Sequence, residues 1–264
     1  MATIRPFRAL RPKADIAHRI AALPYDVYDR QEALAEIEKE PLSFLKIDRA
    51  ETAFPEDVCP YDPRVYEHAK SCLCQMRDQG LFIREATACY YLYELTMDGR
   101  PQTGIVGCAA VDDYLNNVIK KHENTREEKE QDRIQHVDSC NAQTGPIFLT
   151  YRADRSLDQI AAEAKQNAPL YDFIAPDGVK HVIWRIDREH HISGIAQSFA
   201  KIQSIYIADG HHRAASAVKV GLQRRQEKPD YTGDEEFNYF LAVFFPDNQL
   251  RILDYNRVVK DLNG

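Results

Sequence analysis

The chain has 264 residues, of which 44% are hydrophobic, so it can bury the core of one large domain or two smaller ones without metal or disulfide staples. Its 41 acidic residues outnumber the 34 basic ones, and the formal net charge of -7 argues against a nucleic-acid partner. No apolar run approaches the roughly 20 residues of a membrane span, and the opening residues lack the apolar segment of a signal peptide. The six cysteines form no CxxC pair, so we expect reduced thiols in a cytoplasmic protein.

The first part of the chain predicts an extended entry, two helices and a hairpin. The opening "IRPFRALRP" alternates apolar residues between prolines, which favours an edge strand. After the turn "PYDV", Asp29 and Glu32 have the spacing of a capping box and predict a helix start. A second helix is predicted over 63–78, and strands over 89–96 and 104–111 flank "MDGRP" as a hairpin.

The second part alternates strands and helices. "GPIFLTYR" predicts a strand, "SLDQIAAEAKQN" a helix, and "KHVIWRIDREHHISGIAQSFAKIQSIYIADG" a strand, a helix and a strand. "FNYFLAVFFPD" predicts a buried strand, and "QLRILDYNRVV" is a further candidate. The class is therefore α/β (mixed α+β), with one domain over 1–264 and a candidate inserted hairpin subdomain near 86–115. The chain stops soon after "DYNRVV" without a closing element, which suggests truncation at its carboxyl end.

Polar residues are concentrated in the stretch "SIYIADGHHRAASAVKVGL" (204–222), where a buried strand meets a helix. Ile205 and Ile207 predict the strand, and Ala214 lies on the apolar face of the helix. A helix amino terminus presents unpaired N–H groups and a partial positive charge, so it favours an anion. Gly210 permits close approach of a phosphate oxygen, and Arg213 can add a guanidinium contact.

The acid and the two histidines of this turn have several readings. Asp209 can cap the helix, bind Mg²⁺ or act as a base. His211 and His212 are adjacent, so one is expected to face the ligand while the other packs inward. The plain alternative is a capped helix with surface histidines. A cap alone does not require Gly, His, His and Arg in succession, which favours an anion site.

The segment "KKHENTREEKEQDRIQH" is the second dense cluster of polar residues. Thr125 and Glu128 predict a capping box and a helix that begins at Arg126. The alternative is a solvated surface helix. However, most charge pairs four residues apart have the same sign, as in Glu128 and Asp132, so we expect some of these groups to have partners elsewhere.

This segment also contains candidates for binding and proton transfer. The helical face with Arg126, Lys129 and Arg133 is expected to line an anion pocket. His122 and Glu123 precede the helix, where they can act as acid or base.

Three weaker signals complete the set. Asp26 in "PYDV" either faces the site or only forms a turn, and Asn256 and Arg257 have the same two readings. "EHH" at 189–191 lies beside a predicted turn and is interpreted as solvent-facing rather than ligating.

Five motifs in order, "IRPFRALRP" with "PYDV", "KHENTREEKEQDR", "GPIFLTYR", "ADGHHR" and "DYNRVV", resemble those of the DUF1015 family of uncharacterised bacterial proteins. The likeness covers essentially the whole chain. The middle motif matches that family residue by residue at His122, Glu123, Thr125, Arg126, Asp132 and Arg133.

"DGHHR" more loosely resembles the phosphate-binding turn of the ParB, sulfiredoxin and free-serine-kinase group. This resemblance implies a mixed sheet with flanking helices and family-specific insertions. It also implies phosphate binding by Gly210, His211, His212 and Arg213, and a catalytic or substrate-orienting role for Asp209. His212 stands where the kinases have threonine, so no role of that hydroxyl carries over.

The leading functional hypothesis is a small-molecule phosphotransferase that uses ATP or ADP with Mg²⁺ bound by Asp209, or a phosphomonoester hydrolase built from the same parts. By analogy with the kinases, the acceptor would be a free hydroxy amino acid such as serine. The alternatives are a ParB-like nucleotide-dependent regulatory or DNA-associated protein, and a module that binds a phosphorylated metabolite without turnover. The sequence leaves the substrate, the metal requirement and the oligomeric state open.

Overall fold

The computed structural model describes residues 1–252, 254, 256, 258, 259 and 261. The helices in this part of the chain are α1 (Ala17–Ile20), α2 (Arg30–Lys39), α3 (Leu45–Asp48), α4 (Pro63–Asp78), α5 (Val111–Leu115), α6 (Glu127–Cys140), α7 (Arg155–Ala164), α8 (Glu189–Phe199) and α9 (His211–Glu227). The strands are β1 (Ile4–Arg5), β2 (Leu10–Pro12), β3 (Phe82–Arg84), β4 (Tyr90–Met97), β5 (Arg100–Ala110), β6 (Ile119–Lys120), β7 (Ile147–Tyr151), β8 (Tyr171–Ile174), β9 (Lys180–Ile186), β10 (Ile205–Asp209) and β11 (Tyr239–Pro246).

A mixed nine-stranded sheet organises the fold. Its strand order is β6-β10-β7-β11-β5-β4-β9-β8, and β1 also pairs with β5. The pairs β10–β6 and β11–β7 are parallel, whereas the other pairs are antiparallel. Strands β2 and β3 form a separate two-stranded sheet. The predicted α/β (mixed α+β) class is confirmed, and the segment 86–115 supplies β4 and β5 inside the large sheet.

Locally encoded elements agree with the sequence predictions. Asp29 caps α2 through a complete capping box with Glu32. Helix α4 has its predicted bounds, with Asp62 as its N-cap. The hairpin of β4 and β5 turns at Asp98 and Gly99, which both have positive φ, as a two-residue hairpin turn requires.

The main core joins alternate strand residues to the apolar faces of α7, α8 and α9. Ala214, Ala217 and Val218 of α9 are buried in it, as the helical spacing predicted. Helix α6 packs on α9, and α4 packs on α6, so a second apolar cluster forms away from the sheet around α3 and α4. This stacking holds the amino-terminal ends of α6 and α9 near each other. None of the helices among the described residues combines the length and the apolar character that a membrane crossing needs.

Two sequence interpretations fail in this part of the structure. The strand proposed for "QLRILDYNRVV" is absent from its described residues: a 3-10 helix over Asp247–Gln249 follows β11, and Asn256 is exposed outside any regular element. Arg257 lies outside the described residues. The solvent-facing interpretation of 189–191 is wrong for His191, which is buried and hydrogen-bonded to Glu163 of α7.

Candidate functional site

The junction of β10 and α9 forms the turn that the sequence singled out. Strand β10 ends at Asp209 after a register irregularity against β7, and Gly210 follows with a φ of 91°. Such a backbone favours glycine because a Cβ is strained there. The first helical hydrogen bond of α9 runs from the Ala214 N–H to the Gly210 carbonyl. The N–H groups of residues 211–213 therefore have no helical acceptor and mark an anion-favouring end.

Asp209 is not the helix cap, contrary to one of its predicted readings. The N-cap of α9 is Gly210, and Asp209 instead accepts a hydrogen bond of 2.6 Å from Arg213. A second nitrogen of Arg213 donates to the Pro146 carbonyl at 2.6 Å, in the loop before β7. Because the guanidinium also lies 3.2–3.3 Å from the place of a Cβ on Gly210, it covers the start of the helix. In this state the arginine holds a carboxylate where the sequence predicted an external anion.

A cleft of about 330 Å³ opens beside this turn, lined by residues 121–125 with Tyr114 and His211. The His211 and His122 rings meet edge to face with their centroids 4.4 Å apart. His211 Nδ1 lies 3.5 Å from a Glu123 carboxylate oxygen. The two polar segments of the sequence thus meet at this point, with exposed His122 and Glu123 against buried His211.

Burial, followed by the neighbouring charge of His122, lowers the pKa of His211 below its ordinary value, although Glu123 and Asp209 act in the opposite direction. The shift favours the neutral form of His211. Its Nε2 is buried and makes no hydrogen bond within the described part of the chain. The ring lines the cleft, but this nitrogen is not exposed to it.

His212 points to a different environment from His211, as expected for adjacent residues on a helix. Its Nδ1 is buried without a hydrogen bond in the described structure, and its charge acts on Glu130 of α6. Burial by itself would raise the pKa of Glu130, but Lys219 of α9 and the Thr125 hydroxyl hold it below its ordinary value. His212 therefore lies at the contact between α6 and α9.

The start of α6 differs from its prediction. The helix begins at Glu127 with Arg126 as its N-cap, and no side chain caps it. The Thr125 hydroxyl donates to a Glu130 carboxylate oxygen at 2.6 Å rather than pairing with Glu128 in a capping box. Glu130 is also paired with Lys219, which draws its carboxylate toward α9 and within reach of Thr125. The expected distant partners of this charged helix are thus confirmed.

The three basic residues predicted to share one face of α6 lie in different environments. Arg126 and Lys129 are exposed, whereas Arg133 is buried. The Arg133 guanidinium lies 4.3 Å above the Tyr25 ring and 2.8 Å from Asp132. Arg133 therefore packs inside the protein, and Arg126 does not share its surroundings.

Tyr25, in the "PYDV" turn, lies close enough to Arg133 and Arg213 for their charges to act on it. It lies in a 3-10 helix over Tyr25–Val27, and its backbone carbonyl accepts a hydrogen bond of 2.9 Å from Arg49. Burial raises the pKa of the Tyr25 hydroxyl, while Arg133 and Arg213 both act to lower it. Sequence reasoning selected Asp26, which is exposed, and missed its neighbour Tyr25. The nearest sequence signal was the "PYDV" turn that contains Tyr25.

The half-buried Asp48 and the buried His136 form a pair that sequence reasoning also missed. His136 Nε2 lies 3.4 Å from an Asp48 carboxylate oxygen and 3.3 Å from the Thr144 hydroxyl. Burial alone would raise the pKa of Asp48, but hydrogen bonding with His136 and the charge of Arg133 hold it below its ordinary value. The charges of Asp48 and Arg133 thus stabilise each other. No spacing in the sequence pairs α3 with α6.

The residues present fit a magnesium ion only as part of a phosphate complex. Asp209 has 62% of its side chain exposed and offers one carboxylate, and Glu123 offers another at the cleft. Mg²⁺ is commonly bound by one or two carboxylates together with substrate phosphates and water. In the described residues, the groups of three or more clustered metal-ligating side chains do not include Asp209.

Comparison with known proteins agrees with the motif order. The match to the family model named "Protein of unknown function (DUF1015)" covers residues 4–264. Searches of curated proteins and of solved structures found no match. The looser likeness to the ParB, sulfiredoxin and free-serine-kinase group therefore stays a prediction. Because the matched range spans nearly the whole chain, the protein belongs to the DUF1015 family.

Proposed function

We propose that the chain is a small-molecule phosphotransferase that binds ATP or ADP at the β10–α9 turn and passes a phosphoryl group to or from a hydroxyl. The observation that carries this proposal is the contact of His211 with His122 and Glu123. It brings groups suited to proton transfer next to a glycine-initiated helix end with unpaired N–H groups. A free hydroxy amino acid such as serine is the acceptor that the kinase analogy favours.

The ion pair between Arg213 and Asp209 has a defined part in this proposal. A phosphate oxygen that binds the N–H groups of residues 211–213 takes the place of Asp209 as the partner of Arg213. The carboxylate released in this way, which is already mostly exposed, is then free to bind Mg²⁺ on the phosphates. Ligand binding and formation of the metal site are thus coupled through one exchange of partners.

His122 and Glu123 supply the proposed acid and base. An acceptor hydroxyl gives its proton to one of them as its oxygen bonds to phosphorus, and the leaving phosphate oxygen takes the electron pair of the bond that breaks. Burial and the charge of His122 lower the pKa of His211, so the neutral form of the His211 ring is favoured when His122 carries a proton. His211 therefore acts as a positioning residue for His122.

The first test is a thermal-shift screen with ATP, ADP and phosphorylated metabolites, each with and without Mg²⁺. Arg213→Ala should abolish the shift produced by the nucleotide. Arg225→Ala is the matched control, because Arg225 lies on the same helix, is similarly buried and also loses an ion pair, with Asp112. An equal shift in Arg213→Ala and the unmodified protein would contradict the phosphate site.

Phosphorus NMR then separates the forms of the proposal. Mixtures of ATP or ADP with serine and other hydroxyl acceptors should yield a new phosphomonoester signal in the unmodified protein. His122→Ala combined with Glu123→Gln should lose this turnover while it keeps the nucleotide shift. Release of inorganic phosphate from a phosphomonoester would identify a hydrolase. Nucleotide binding without turnover would favour the regulatory alternative.

The cytoplasmic location stays a prediction.

A further inference from the structure

A cluster of three potential metal ligands lies on α7 and α8, elements that contribute nothing to the β10–α9 turn. Glu163 is in the last turn of α7, and His190 and His191 are in the first turn of α8. One ligand atom from each residue lies within 4.8 Å of the others. His191 Nε2 and a Glu163 carboxylate oxygen are 2.8 Å apart.

We propose that Glu163, His190 and His191 bind a divalent transition-metal ion of the zinc class. Two imidazoles and one carboxylate form a ligand set that Zn²⁺ uses when it keeps one position open. With metal-ligand bonds of about 2.0–2.2 Å, donor atoms around a tetrahedral ion lie roughly 3.3–3.6 Å apart. The separation of His191 Nε2 and Glu163 is 2.8 Å and no pair of ligand atoms is more than 4.8 Å apart, so side-chain rotations would bring the three donors to that spacing.

The surrounding residues restrict the positions of His191 and Glu163. His191 is 3% exposed, so packing already fixes its ring and little conformational entropy is left to lose. Glu163 is hydrogen-bonded to His191 and to Gln159, and both contacts hold its carboxylate in place. Its negative charge offsets the partial positive charge at the start of α8.

A second cleft adjoins the cluster and indicates what fills the open position. His191 lines this cleft of about 320 Å³ together with Arg185, Arg188 and Asn167. Arg185 is paired with Asp187 and Glu85, but Arg188 makes its side-chain hydrogen bond to the neutral Asn167 amide. An anionic oxygen ligand is therefore the expected fourth partner of the ion, with Arg188 balancing its charge.

The test is titration of the chelator-treated full chain with Zn²⁺ by calorimetry and with Co²⁺ by visible absorption. The unmodified protein should bind one equivalent and give the absorption of a four-coordinate Co²⁺ site. His190→Ala removes an exposed ligand without disturbing the core and should weaken binding more than about tenfold, since even groups behind the ligands are commonly worth that much. Glu163→Gln keeps a hydrogen-bonding group next to His191 but loses the charge, and should weaken binding as well.

His122→Ala is the control, because it removes a histidine from the other cleft and should leave Zn²⁺ affinity unchanged. Absence of binding by the unmodified protein would overturn the proposal. Equal affinity in His190→Ala and the unmodified protein would do the same, as would loss of binding in His122→Ala alone. The result is independent of nucleotide binding, so it distinguishes this site from the proposed phosphate site.

Discussion

Gly210→Ala is the substitution that tests the β10–α9 turn most directly. Gly210 has a φ of 91°, where a residue with a Cβ costs roughly 1–2 kcal/mol. The added Cβ would also lie 3.2 Å from Arg213 Nε and 3.3 Å from its Cζ. These atoms end a flexible side chain, but the guanidinium is held by Asp209 and the Pro146 carbonyl. The variant therefore strains the backbone and displaces the arginine.

The magnitude follows from these two contributions. Displacement of Arg213 weakens an ion pair whose acid is largely exposed, which is worth about 0.2–1 kcal/mol after solvent screening. Together with the backbone strain, the free energy of unfolding should fall by about 1–3 kcal/mol. Urea denaturation followed by circular dichroism measures this change.

Gly178→Ala is the matched control. Gly178 has a φ of 82°, and no atom lies within 4 Å of the Cβ that it would gain. This variant should lose about 1–2 kcal/mol from strain alone and keep the thermal shift produced by ATP. Gly210→Ala should lose both stability and most of that shift. A Gly210→Ala protein that binds ATP as the unmodified protein does would refute the assignment of the turn as the anion site.

Three further substitutions test other contacts. His211→Gln should flatten part of the pH dependence of the free energy of unfolding. Because the pKa of His211 is lowered in the folded protein, the unfolded chain binds more protons below about pH 6.5, and the unmodified protein loses stability as the pH falls through that value. Identical pH profiles for the variant and the unmodified protein would contradict this. Arg133→Met should lower the free energy of unfolding by about 2–3 kcal/mol in urea denaturation, because it leaves Asp132 without its cation. Adding Asp132→Asn to the same chain should recover part of this loss. If nothing is recovered, the two residues are not coupled. Gly221→Ala should lower the free energy of unfolding by about 1–3 kcal/mol in the same assay, because the added Cβ would lie 2.5 Å from the Phe237 carbonyl oxygen. An unchanged urea midpoint would show that α9 can shift to make room.

The elements predicted best are those whose signals are local. Helix α4 has its predicted bounds because Asp62 and Pro63 specify its start within the sequence itself. The capping box of Asp29 and the turn at Asp98 and Gly99 are also contained in a few adjacent residues. Backbone geometry at such places depends on neighbours along the chain, so the sequence is sufficient.

The predictions that failed depended on neighbours far along the chain. Thr125 was expected to cap α6 with Glu128, but the packing of α9 on α6 places Lys219 on Glu130 and makes Glu130 its partner. His191 was expected in solvent, but the packing of α7 against α8 buries it and brings it to Glu163. That packing is not visible in the local sequence. Competition between equally suitable partners is decided by which groups the fold brings within a few ångströms.

The sequence by itself determined the family, the mixed α/β class, the order of most strands and helices, and the strand-glycine-helix turn at 209–211. These properties follow from apolar spacing, caps and motif order, which are written along the chain. Only the tertiary structure decided that His211 meets His122, that Arg213 holds Asp209, and that Arg133 lies over Tyr25. The physical reason is that burial and charge pairing depend on distances in space, and those distances exist only after α6 and α9 have packed together.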